Sequence, residues 1–156
     1  MSDSAMTIEQ RIARLEDIEA IRTLTNSYHT GINEHDLARI CSPFAEDAVV
    51  VLSNGIRMEG LAAIRAGYEE TMKGLKMVKQ YIHSHTVEVV AESGTGASYL
   101  DARYVVKGDP TSYIVAAKLL YEYAKRKGRW QVTRYEVRMS FRVPLTVGWA
   151  GDKLMF

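Results

Sequence analysis

An α+β fold is predicted, with helices leading and an antiparallel meander closing the chain. Three observations carry it. Apolar residues recur at steps of three and four from Ile8 to Tyr28. After residue 80 come four long runs rich in β-branched and aromatic residues, separated by glycine-containing turns. Strands and helices do not alternate as they would in a parallel βαβ sheet.

Length and composition set the frame for these elements. With 156 residues, 47% of them hydrophobic, one domain spanning 1–156 is expected. The formal charge of +1, from 20 Lys and Arg against 19 Asp and Glu, argues against a polyanion-binding stripe, so nucleic acid is not an expected partner. Cys41 is the one cysteine, which excludes an intramolecular disulfide and leaves no zinc-ligand spacing. The sequence has no apolar run of bilayer length and no secretory pattern in MSDSAMTIEQ, so no membrane association and a cytoplasmic location are expected.

Residues 1–6 read as a loose tail, and Thr7 with Gln10 has the form of a capping box. A helix follows to about Ile32, with Ile8, Ile12, Leu15, Ile18, Ile21, Leu24 and Tyr28 as its buried stripe and Gly31 and Asn33 at its end. Asp36 caps a short helix bearing Leu37, Ile40 and Cys41, stopped by Pro43. Residues 47–52 are a β-branched strand, and Ser53-Asn54-Gly55 turns it into a short partner at Ile56-Arg57-Met58. Beyond Gly60, Leu61, Ile64, Tyr68 and Met72 share one face of a helix over about 61–74. The meander then comprises strands over 81–92, 97–107, 112–124 and 129–142. Trp149, Leu154, Met155 and Phe156 make the segment 143–156 too apolar for a solvated tail, which is expected to cover a cavity mouth or another subunit.

The stretch YIHSHTVEVV, residues 81–90, carries the main chemical signal. A period of two puts His83, His85, Val87 and Val89 on one face, so two imidazoles continue an apolar row. Imidazole is the side chain whose ordinary pKa lies near neutrality, and proton transfer in a hydrophobic interior is the chemistry such a pair suits. Tyr28, at the end of the first helix, is the candidate donor to developing negative charge. His29 and His35 are expected to be solvated, Glu46-Asp47 to be turn residues, and Lys125-Arg126-Lys127 an exposed hairpin tip.

Taken in order, SYHTGINEHD, FAEDAVVV, GLAAIRAGYEE, HSHTVEVV and LYEYAKRKGRWQV resemble the SnoaL-like branch of the nuclear-transport-factor-2-like superfamily, over nearly the whole chain. The run RMSFRVPLTVG is similar to the end of lindane dehydrochlorinase. LEDIEAIRTLTNSYHTG and the SNG turn are similar to bile-acid 7-alpha-dehydratase, and scytalone dehydratase shares the plan. The resemblance implies a cone, a strongly curved antiparallel sheet wrapped around the long N-terminal helix. It also implies a lyase working on a small hydrophobic cyclic molecule without metal or organic cofactor, and a homo-oligomer, with a trimer ahead of a dimer.

In those lyases a histidine of the first long strand is the base, supported by a carboxylate just past the first helix. The histidine role maps to His83 or His85, and the carboxylate role falls on Asn33, which can orient a ring but cannot stabilise an imidazolium by charge. Asp101, on the neighbouring strand, could supply the missing charge if it faces inward, although alternation with Leu100, Ala102 and Tyr104 points it outward. Leu52 stands where some dehydratases have a second tyrosine and isomerases have an aspartate base. A binding protein without catalysis, an isomerase and a polyketide cyclase are the alternatives this pattern leaves.

Overall fold

The computed structural model describes residues 6–146. Helix α1 (Ile8–Glu34) leads to α2 (Leu37–Cys41), strand β1 (Phe44–Val51), strand β2 (Arg57–Glu59) and α3 (Leu61–Gly74). Four long strands follow: β3 (Leu75–Val90), β4 (Ser93–Val106), β5 (Ser112–Arg126) and β6 (Arg129–Pro144). Among the described residues they form one six-stranded sheet in the order β2-β1-β6-β5-β4-β3, antiparallel except for β1 beside β6. The α+β class and the leading helix with its curved sheet are as the sequence predicts. Trp149, Leu154, Met155 and Phe156 lie outside the described residues, so the expectation for that tail does too.

Local chemistry explains the boundaries. Thr7 and Gln10 close both halves of the capping box at the start of α1. His35 ends that helix in the left-handed conformation, at φ 57°, and is exposed as expected. Asp36 caps α2 through the Arg39 amide at 3.0 Å. Gly31 lets the two helices meet, because a Cβ there would lie 2.8 Å from the Ile40 backbone nitrogen. Glu46 and Asp47 are exposed residues inside β1 rather than turn residues, and Asp47 pairs with Arg126 at 2.6 Å.

Helix α1 departs from the expected stripe. Ile21 and Tyr28 are buried, yet Ile8, Ile12 and Leu15 are exposed. Steps of three lag the helical repeat by about 60° each, so a row built mostly of threes winds around the cylinder. The face against the sheet holds Asp17, Ile21, Thr25, Tyr28 and Ile32 instead. Asp17 pins it, accepting from Lys125 Nζ and Trp130 Nε1, both at 2.7 Å.

Candidate active site

A β-bulge in β3 decides which histidine enters the cone. His83 pairs with Tyr99 and Thr86 with Ala97, so Ser84 and His85 together oppose Ser98. Ser84 takes φ 53°, a left-handed value that turns the strand. Gln80 and Ile82 face inward before the bulge, and His85, Val87 and Val89 face inward after it. His83 is left on the outer face, exposed. The expectation of two histidines on one face is therefore corrected to one, because the extra residue breaks the period of two.

Asp101 is also on the outer face. It sits opposite Tyr81 and beside Arg103, at 3.4 Å, while its neighbour Ala102 is buried. Asn33 does not reach a histidine. Its side-chain amide donates to the Gln80 carbonyl at 2.9 Å, and its oxygen accepts from the Gln80 amide at 2.7 Å. On the edge strand this satisfies the two groups a further strand would have bonded. Only a carboxamide can do both, so the residue at the carboxylate position has a structural task here.

His29, expected in solvent, is buried. Gln80 Nε2 donates to its Nδ1 at 2.8 Å, so its Nε2–H donates to the Tyr121 hydroxyl at 3.1 Å, and that hydroxyl shares a further bond of 3.1 Å with Ser98 Oγ. Burial pushes its pKa down to about 3, and the charge of His85 adds to the effect. The ring is neutral, with both nitrogens occupied. Its spacing carried the signal, since His29 follows Thr25 by four residues and Ile21 by eight.

His85 is different. The one proton of Thr25 Oγ1 goes to the Ile21 carbonyl at 2.9 Å, so Tyr123 makes the 2.8 Å bond to Thr25 by donating. The Tyr123 oxygen can then only accept from His85 Nε2, at 3.4 Å. His85 is accordingly protonated on Nε2, and among the described residues its Nδ1 lone pair is unengaged. Partial burial lowers its pKa, as does the Arg22 guanidinium. It is thus poised as a neutral imidazole with an open basic nitrogen.

Tyr28 lies on the other side of the core. Its hydroxyl bonds Tyr68 at 2.7 Å, and its ring packs against His29, Phe44, Tyr68 and Tyr135. Burial, then the Tyr68 phenol, raises its pKa well above the ordinary value. His85 meets Tyr121 at 5.6 Å and Tyr121 meets Tyr135 at 5.2 Å between ring centroids, so two rings separate it from Tyr28. A void of about 10 Å³ lies among Thr25, Tyr28, Phe44, Tyr121, Val132 and Tyr135. Among the described residues no three His, Cys, Asp or Glu side chains converge on a point where a metal could sit. No helix among them is long and apolar enough to cross a membrane.

The chain matches the SnoaL-like domain over residues 13–136. Its structure is similar to hexachlorocyclohexane dehydrochlorinase LinA-type3 from Novosphingobium barchaimii, at 20% identity and TM-score 0.82, covering 88% of this chain and 96% of that one. A protein assigned as a scytalone dehydratase from Novosphingobium aromaticivorans matches at 16% identity and TM-score 0.77, over 86% and 91%. A cystatin-like fold from Caulobacter vibrioides matches at 21% identity and TM-score 0.71, over 80% and 89%. At such identities these likenesses establish the fold. No curated protein matches the chain.

Proposed function

Because the chain belongs to the SnoaL-like domain family, we propose that it is a cofactor-independent lyase that eliminates a leaving group from a small, hydrophobic, cyclic molecule. One observation carries the reading: His85, turned to the inner face of the sheet by the bulge, has an Nδ1 with no hydrogen-bond partner among the described residues, in a partly desolvated setting. In the reaction Nδ1 takes a proton from carbon, the C–H electron pair becomes the new C=C bond, and the adjacent leaving group departs with its bonding pair. Of the phenols near His85, Tyr121 at 5.6 Å between ring centroids is the candidate donor to developing negative charge, because Tyr123 gives its proton to Thr25 and Tyr28 lies two rings away. Asn33 acts through Gln80, whose side chain holds His29 in one tautomer. His83 and Asp101, facing outward, take no part.

A second reading is a small-molecule binding protein. It is favoured by one fact: among the described residues no carboxylate touches His29 or His85, so neither ring has a partner to stabilise it as an imidazolium. Hexachlorocyclohexane and a panel of cyclic β-hydroxy ketones, assayed for chloride release and enone formation with chelator present, separate the two. Turnover supports the lyase. Saturable binding of the same compounds with no product supports the binding protein.

A further inference from the structure

The N-terminal end of α1 is a helix without a core. Residues 8–13 are all exposed, and Ile8, Ile12 and Leu15 are 69%, 50% and 65% accessible. At 100° per residue these three fall within about 60° of one another, on the side of the helix opposite Ile21 and Tyr28. A partner seated on this stripe therefore meets no part of the sheet. A helix end this short is marginal in water by itself, and a complete capping box spends two side chains on starting it. Both facts are accounted for if the stripe is covered.

The flanks say by what. Arg11 borders the stripe on one side, Glu9 and Glu16 on the other, and no ion pair among the described residues joins Arg11 or Glu16 to another side chain. When two copies of such a helix lie parallel, related by an axis along their length, the basic flank of each meets the acidic flank of the other. When they lie antiparallel, like meets like. We propose that the Ile8, Ile12 and Leu15 stripe of α1 packs in parallel against the same stripe of another copy of this chain. A groove of about 560 Å³ lies beyond the acidic flank, lined by Glu16 and Glu19 as well as Ala20, Leu24 and Pro43. The stripe alone is far smaller than the roughly 800 Å² per partner of a standard interface, so the association is concentration-dependent. It is independent of the chemistry of the cone.

Same-residue disulfide trapping tests the pairing in the full-length protein, where buried Cys41 does not compete. Ile8→Cys and Leu15→Cys should each form a covalent dimer on its own under mild oxidation. If the cross-link forms only when the two variants are mixed, the pairing is antiparallel and the proposal fails; if neither condition cross-links, it fails also. Arg11→Glu should weaken self-association in sedimentation at least about tenfold, the size expected for lost and reversed charge pairs at a helix seam. Adding Glu16→Arg should restore it. An unchanged oligomer distribution in both variants would overturn the proposal.

Discussion

Single hydrogen bonds set the chemistry of the two interior histidines. Thr25 is the clearest case, because its one proton is committed to the helix backbone and its oxygen draws the proton of Tyr123. In Thr25→Val the Tyr123 O–H loses that acceptor and turns to His85 Nε2, so the imidazole proton moves to Nδ1. Nitrogen chemical shifts of the ring should report the exchange of tautomers, and an unchanged His85 spectrum would refute the proton count. Gly96 gives the ring its room: a Cβ there would lie 3.0 Å from the Thr86 carbonyl, 3.1 Å from the Tyr123 ring and 3.3 Å from His85 Nε2. Gly96→Ala should cost about 1–3 kcal/mol in denaturant unfolding, the usual penalty for overpacking, and displace the imidazole.

At the scale of elements, the bulge in β3 and the amide clamp at Gln80 position the site. Asn33→Asp removes the donor to the Gln80 carbonyl and sets a carboxylate against it, so unfolding free energy should fall by about 1–3 kcal/mol. A variant as stable as the parent would show that Asn33 is not holding the strand edge. These two features also mark where the sequence could be read and where it could not. The order of elements, the capping box, the Asn54-Gly55 turn and the face of α3 with Ile64 and Tyr68 follow from local patterns, and the structure has them. The choice between His83 and His85 rests on one extra residue at Ser84, which has no glycine or proline to announce it. Asn33 finds Gln80 across 47 positions, a contact that no local pattern encodes. Ile8, Ile12 and Leu15 leave the buried face because each step of three falls about 60° short of a full helical turn, an offset already present in their spacing.

Across the whole molecule, the buried neutral His29 ties stability to pH. Its pKa is about 3 in the fold against 6.5 for the free side chain, so the unfolded chain binds the extra proton. The contribution is complete above pH 6.5 and is lost as pH falls from there toward 3, at up to about 1.4 kcal/mol per unit. Thermal unfolding followed across that range should show the decline, and His29→Gln should flatten it; an equally steep decline in the variant would place its origin elsewhere. The same seclusion keeps the interior of the cone free of formal charge around His29 and the five tyrosines Tyr28, Tyr68, Tyr121, Tyr123 and Tyr135. A base working there has to be neutral at rest, which is the state the burial of His85 enforces.

In the proposed elimination the bulge makes His85, and not His83, the base. Elimination turnover of His85→Ala and His83→Ala, measured side by side on a substrate from the cyclic panel, tests it most directly. His85→Ala should lose at least about 100-fold in kcat, the lower end for removing a general base, while His83→Ala should stay within about twofold, as expected for an exposed residue away from the site. Full turnover in His85→Ala, or a loss in His83→Ala of the same size, would contradict it.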